Sequence, residues 1–232
     1  LGAADVERFI HDSLRVHFAA MEPVIRRMLD SELEEVRESG GRLACLAVLI
    51  HPMEASSLAE KTMSGSDETR LGAAQVASAN LGSTDAKDWC EQALISLFSD
   101  ESQSVRCEAA RSFRSLEGIP PEEYEDLINH FITSPAFEAD SFSLTHYLLE
   151  TDYRVPAITI AVCEQFLKRF SNEARDITRS RAADSSTVSK LVYRTYAQHD
   201  DVEIQNRCLT LIDSMCVDGV YDGLRGVQDF ER

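Results

Sequence analysis

The feature of this sequence that most constrains its fold is a short motif that occurs three times at nearly constant spacing. An arginine is followed, three and four residues later, by two small residues, and successive arginines are 33 and then 36 residues apart. The copies are Arg37 with Gly40-Gly41, Arg70 with Ala73-Ala74, and Arg106 with Ala109-Ala110. A period of this length is typical of repeat proteins, in which each unit buries its apolar face only against its neighbours.

Each copy is predicted to belong to a pair of amphipathic helices. An acidic or serine-containing turn precedes each arginine, and Ser31 with Glu34 has the spacing of a capping box. Paired small residues would let a neighbouring helix approach closely, which would explain two glycines inside a helix at a cost of about 1 kcal/mol each. A local break in the helix is the alternative. The upstream helices show one apolar face, as in Trp89, Ala93, Leu94, Leu97 and Phe98.

The sequence therefore predicts an all-α fold, an α–α superhelix of about five to six antiparallel helix pairs. We expect one domain over residues 1–232, with regular repeats over about 15–118 and degenerate repeats over 119–232. A polar loop or weak helix is expected over 171–186, and a last short helix over 220–227. The 10 Gly and 6 Pro are fewer than turn-rich β folds need. Because the first residue is Leu1, we expect a piece of a longer protein.

Charge and cysteine content narrow the classes of partner and compartment. The formal net charge is −17, which opposes binding to nucleic acid and to anionic membrane surfaces. No apolar run approaches the roughly 20 residues that a membrane span requires. The six cysteines form no C-x-x-C pair and most have apolar neighbours. They predict reduced thiols in the core and a cytoplasmic protein.

Motifs for catalysis, metal binding and cofactor binding are absent from the sequence. It contains no P-loop, no H-E-x-x-H and no G-x-S-x-G, and its six histidines are scattered. Adjacent carboxylates such as Glu34 and Glu35 diverge by about 100° on a helix, so they make poor acid/base partners. We predict no enzymatic activity for this chain, and no catalytic, metal-binding or cofactor-binding residues.

One basic segment departs from the general acidity. Residues 168–194 contain seven basic and three acidic residues. The segment could contact an acidic partner, a nucleotide phosphate or a nucleic acid, or it could be a solvated loop that pairs with the acidic body. The candidate partner-contact residues are Arg175, Arg179, Arg181, Lys190 and Arg194. Arg37, Arg70 and Arg106 recur in register, so we assign them to the repeat architecture, as an inter-repeat ion pair or a hydrogen bond to the adjacent turn.

The repeated motif resembles HEAT repeats, whose second helix often opens with Asp, an apolar residue and Arg, followed by small residues. The best match runs from Asp100 through Val105 and Arg106 to Ala109-Ala110. Residues 21–47 and 206–232 also resemble the C-terminal helical-repeat regions of large bacterial STAND or NACHT-like NTPases. The resemblance implies a sensor that recognises a trigger, often an invader's protein, and keeps the NTPase inactive until then. It also implies protein partners, with oligomerisation through the rest of a longer chain.

Two alternatives from other classes remain open at this point. A HEAT-fold nucleic-acid-binding or DNA glycosylase-like protein would need a basic concave groove, which a chain of this charge supplies poorly. A chromophore-lyase-like maturation chaperone would need a deep pocket with a paired acid and base, and the sequence does not place one. The leading hypothesis is a non-enzymatic scaffold for protein–protein interaction with a sensor role in bacterial defence.

Overall fold

The computed structural model describes residues 3–151, 154–170 and 179–217, and every regular element in these ranges is helical. The predicted all-α class is therefore confirmed, while the number of repeats stays a prediction. None of the helices described combines the length and apolar character that crossing a bilayer requires. The α helices are α1 (Ala3–Leu29), α2 (Glu34–Ile50), α3 (Ser56–Met63), α4 (Asp67–Asn80), α5 (Lys87–Leu97), α6 (Gln103–Ala110), α7 (Glu125–Thr133), α8 (Ala136–Ala139), α9 (Phe142–Glu150), α10 (Pro156–Phe170), α11 (Arg179–Gln198) and α12 (Val202–Val217).

The chain divides into two compact units, Leu1–Ser115 and Leu116–Arg232. The boundary lies inside a short 3-10 helix, Arg111–Leu116, and a second 3-10 helix, Pro121–Tyr124, leads into α7. It falls close to residue 118, where the sequence predicts that regular repeats end. The expectation of a single domain over the whole chain stays a prediction.

Helices of the first unit pack as successive pairs, α1 with α2, α3 with α4, and α5 with α6. The second helices also form a row, because α4 lies against both α2 and α6. Burial of apolar side chains along each pair drives this packing, since each fully buried Leu or Val contributes about 1.5–3 kcal/mol. Members of this core include Ala44, Val48, Leu58, Val76, Ala77, Leu94, Leu97, Phe98, Val105 and Phe113.

A close crossing of α2 and α4 explains the small residues of the motif. Helix α2 runs unbroken through its two glycines, so the alternative of a local break is wrong. A Cβ atom on Gly41 would lie 2.3 Å from the carbonyl O of Thr69, and one on Gly72 would lie 2.3 Å from that of Glu38. The predicted capping box is also wrong. Leu33 occupies the N-cap of α2 without a side-chain cap, and Ser31 Oγ instead accepts a hydrogen bond from Leu33 N at 3.2 Å.

Helix α1 is kinked at His17, whose φ of −126° and ψ of 29° are not helical. His51, just after α2, lies at this kink: its Nε2 is 3.0 Å from the carbonyl O of Leu14, and its ring stacks on Phe18. The inner face of α1 packs into the first unit through Leu14, Ile25 and Leu29, which are buried.

In the second unit, α11 packs against α9, α10 and α12, and α10 also packs against α12 and α7. Helix α11 begins at Arg179, inside the segment predicted as a loop or weak helix. The start of α12 is capped, because Asp201 Oδ1 accepts a hydrogen bond from Glu203 N at 2.8 Å. The short helix predicted over 220–227 lies outside the described residues.

Candidate interaction surface

Arg37 of α2 links two successive turns of the first unit. Its Nη1 donates hydrogen bonds to the carbonyl O of Ser31 and of Glu32, both at 3.0 Å, in the turn before α2. Its Nε and Nη2 contact one carboxylate oxygen of Glu68, at the start of α4, at 3.1 and 3.0 Å. The hydroxyl of Ser66 donates to the same oxygen at 2.6 Å and lowers the pKa of Glu68, and Arg37 acts in the same direction.

Arg70 of α4 makes the equivalent link one repeat later. It donates a hydrogen bond to the carbonyl O of Gly65 in the turn before its own helix. Its Nε and Nη2 contact the two carboxylate oxygens of Asp100, before α6, at 2.6 and 3.2 Å. The side chains of Arg70 and Asp100 are only 12% and 7% exposed, so this bidentate pair is shielded from water. The hydrogen bond to Asp100 raises the pKa of Arg70.

Arg106 of α6 repeats only the first half of this arrangement. Its Nη1 donates to the carbonyl O of Asp100 and of Glu101, at 2.6 and 2.8 Å. Its buried Nε has no hydrogen-bond partner among the residues that the structure describes. Arg37, Arg70 and Arg106 thus hold equivalent positions, each tying the start of its helix to the preceding turn, and the first two also reach the following repeat.

The linked turns and the first turns of α2 and α4 carry exposed carboxylates, which we call the acidic edge and define as Glu32, Glu35, Asp67 and Glu101. The side chains of Asp67 and Glu101 are 56% and 87% exposed, and both carboxylates also contact Arg70 Nη2, at 2.8 and 3.5 Å. Because the arginine contacts fix successive turns against one another, the backbone positions of these residues are held in a set spacing. Such an edge attracts cationic side chains and repels phosphate groups.

Two of the five candidate partner-contact residues in the basic segment have described side chains. Lys190 is half-buried on α11. Arg194 is used within the chain: its Nη1 donates to the carbonyl O of Leu149 at 2.5 Å and of Thr151 at 3.3 Å, and its Nη2 donates to that of Leu148. These bonds satisfy main-chain carbonyls at the C-terminus of α9. Partner contact stays a prediction for the remaining candidates.

Three of those candidates lie outside what can be described. Arg175 is not among the described residues, and Arg179 and Arg181 lie in the first turn of α11 without described side chains.

Arg169, near the end of α10, is a structural contact that the sequence does not single out from the basic segment. Its two Nη atoms donate to the carbonyl O of Thr133 and of Ser134, at 2.6 and 2.9 Å. Its Nη1 also pairs with the Glu138 carboxylate at 2.8 Å. The sequence could not reveal that Arg169 binds these carbonyl groups, because it does not show that α7 and α10 are neighbours. Only the packing of the helices shows that.

A groove of about 290 Å³ lies between α10 and α12. Glu164 and Arg207 form an ion pair in its lining at 2.7 Å, and both side chains are nearly half exposed, so the pair contributes little stability. Among the described residues, no group of three or more His, Cys, Asp or Glu is placed to hold a metal ion. The groove is lined by Glu164, Leu167, Arg207, Thr210, Leu211 and Ser214.

Four of the six cysteines are buried and two are half-buried, and all six are free thiols. Burial raises the pKa of Cys45 and Cys163 well above the usual range of a thiol, and raises that of Cys90 to about 12. These thiols therefore stay protonated at neutral pH, when a nucleophilic cysteine would be a thiolate. They serve as small apolar core residues, as the sequence predicts.

Comparison with known proteins assigns no family. No protein-family model, no curated protein and no solved structure matches this chain.

Proposed function

We propose that this chain is a non-enzymatic scaffold for protein–protein interaction that binds a partner with a basic surface through the acidic edge. The observation that carries the proposal is the pair of arginine links, Arg37 to Glu68 and Arg70 to Asp100, which hold successive turns in register. Because the backbone of this edge is fixed before binding, a docking partner has to order only its side chains.

The charge of the chain favours a protein partner over a nucleic acid. Its net charge of −17 repels the phosphate backbone of a nucleic acid. Added salt would aid nucleic-acid binding only by screening this repulsion. A basic protein surface meets the opposite situation, because long-range attraction raises its association rate.

More specifically, we propose that the chain is the trigger-recognition and autoinhibitory region of a bacterial STAND or NACHT-like NTPase with a role in defence. What supports it is the resemblance of residues 21–47 and 206–232 to such regions. Sequencing the natural gene tests it directly. A Walker motif in frame upstream of Leu1 would support the proposal, and a reading frame that begins near Leu1 would contradict it.

Matched charge reversals test the acidic edge itself. The edge variant changes Glu32, Glu35 and Glu101 to Lys. The control variant changes Glu54, Asp85 and Asp88 to Lys, three exposed carboxylates of the same unit outside the edge, so both variants have the same net charge.

The experiment captures binding partners from cells of the source organism on wild-type and variant chains, after nuclease treatment. We expect proteins that bind both the wild type and the control variant and are lost from the edge variant. If both variants lose the same partners, total charge rather than the edge governs binding. If nuclease treatment removes all captured material, the result would instead support the alternative of a nucleic-acid-binding protein.

A further inference from the structure

Leu33 places an apolar side chain within the acidic edge. It is the N-cap residue of α2 and is 63% exposed. Its neighbours Glu32, Glu34 and Glu35 are exposed as well. This part of the edge is therefore an apolar side chain that is flanked along the chain by three carboxylates.

The backbone that carries Leu33 is fixed by hydrogen bonds. Leu33 N donates to Ser31 Oγ at 3.2 Å, and the carbonyl O of Leu33 accepts from Val36 N at 3.2 Å and from Arg37 N at 3.0 Å. Arg37 Nη1 also donates to the carbonyl O of Glu32 at 3.0 Å. A partner that buries the Leu33 side chain therefore binds a turn that is already ordered, which lowers the entropic cost of binding.

The equivalent position holds serine in the next two helix pairs. Ser66 and Ser102 are the N-cap residues of α4 and α6, with the same extended backbone, and each lies four residues before its arginine, as Leu33 does. Serine is favoured at an N-cap and leucine is disfavoured. The hydroxyl of Ser66 also donates to Glu68, two residues later, at 2.6 Å, and leucine cannot make the same bond to Glu35. The fold therefore favours serine where Leu33 stands.

Single exposed apolar residues are common on protein surfaces and by themselves indicate nothing. Leu33 differs because it occupies a position that favours serine, its backbone is fixed, and acidic residues flank it. Residues that serve binding often stand where another residue would make the fold more stable. An apolar contact surrounded by polar and charged groups is also the usual composition of a protein–protein interface.

We infer that Leu33 is the apolar anchor of the acidic edge, and that its partner is a basic amphipathic segment whose apolar residues lie between lysines or arginines. The inference rests on the proposed function and adds the chemistry of the partner to it. Charge alone would attract any basic surface. The leucine favours a surface with an apolar contact between its cations, because a purely polar surface would lose water against Leu33 without gaining a hydrogen bond.

Two helical peptides of equal charge are the probes. One carries leucine and lysine at helical spacing, and the other carries alanine in place of every leucine. Fluorescence anisotropy of the labelled peptides, at physiological ionic strength, measures their binding to the chain. The wild type should bind the leucine peptide about tenfold more tightly than the alanine peptide, because burial of the exposed part of one leucine contributes about that factor. Leu33→Ser should lose most of this preference and bind the alanine peptide as the wild type does.

Two further measurements separate an anchor from a structural residue. Met53 is 85% exposed and lies beyond the other end of α2, so Met53→Ser is the matched control and should keep the preference. In urea unfolding, Leu33→Ser should be at least as stable as the wild type, since serine is the better N-cap residue. A leucine needed by the fold would instead make this variant less stable.

The outcomes distinguish the inference from the proposed function. Equal binding of the two peptides by the wild type, an unchanged preference in Leu33→Ser, or an equal loss of preference in Met53→Ser would overturn the inference. A less stable Leu33→Ser would overturn it as well. The edge variant should bind both peptides more weakly than the control variant of the same net charge. If these two variants bind the peptides equally, the acidic edge itself, and with it the proposed function, is contradicted.

Discussion

At the scale of single residues, two adjacent glycines in α2 face two different helices. Gly40 faces the end of α1, where an added Cβ atom would lie 3.0 Å from Leu29 N and from Met28 Cβ. Gly41 faces α4, where the same atom would lie 2.3 Å from the carbonyl O of Thr69. The missing side chains at these two positions thus allow α2 to contact neighbours on two sides.

Replacing each glycine by alanine separates helix propensity from packing. Both substitutions gain about 1 kcal/mol of helix propensity. Gly41→Ala must push α4 away from α2, and this overpacking costs about 1–3 kcal/mol beyond the gain in helix propensity. Gly40→Ala requires the end of α1 to shift by only a few tenths of an ångström. Urea unfolding should therefore show Gly41→Ala less stable than Gly40→Ala by at least about 1 kcal/mol. Equal stabilities would mean that α2 and α4 are farther apart than described.

At the scale of elements, the arginine links fix one helix pair against the next. Arg70 lies in α4 and its carboxylate partner Asp100 lies in the turn before α6, so the contact crosses from one pair to the following one. Removing one member of a buried ion pair leaves the other without its counter-charge in a poorly solvated position. The link is therefore expected to stabilise the stacking of the repeats as well as a single turn.

Arg70→Ala should lower the free energy of unfolding by about 3 kcal/mol, because the shielded Asp100 would lose its counter-charge and keep only the hydrogen bond from Ser102 N. Arg70→Lys should recover only part of this loss, since an ammonium group cannot contact both carboxylate oxygens as the guanidinium does. Arg111→Ala is the control, because the Arg111 side chain is 53% exposed in its ion pair with Glu108 and its loss should cost less than about 1 kcal/mol. Urea unfolding measures all three, and a similar small loss for Arg70→Ala and Arg111→Ala would contradict the link.

At the scale of the whole molecule, the chain contains two compact units, and each has buried cysteines of its own. Cys45 and Cys90 are buried in the first unit, and Cys163 and Cys208 in the second. A buried thiol reacts with a labelling reagent only when its surroundings open, so these residues report on each unit separately. They can test whether the units open together.

Gly41→Ala should accelerate the labelling of Cys45 more than that of Cys163, because it perturbs only the core of the first unit. Thiol labelling followed by mass spectrometry of peptides measures both rates in one sample. The half-buried Cys107 and Cys216 should react first in the wild type. Equal acceleration at Cys45 and Cys163 would instead favour the single cooperative domain predicted from the sequence.

The sequence by itself was sufficient for the helical class, and it predicted a repeat in the first unit and a shared architectural role for Arg37, Arg70 and Arg106. These features depend on local periodicity and on spacing along the chain, which a sequence states directly. It also predicted close helix packing at the paired small residues, although Gly72, the residue of α4 that meets α2, is outside that motif.

Only the tertiary structure decided which charges meet. Arg37 and Arg70 form ion pairs with carboxylates about 30 residues later in the sequence. Arg169 and Arg194 donate hydrogen bonds to carbonyl groups of preceding helices, so part of the basic segment makes contacts within the chain. The sequence also could not show that the outer side of α1 is left exposed. Ion pairs and exposed faces depend on which helices become neighbours, and that follows from the packing of the whole chain rather than from any local pattern.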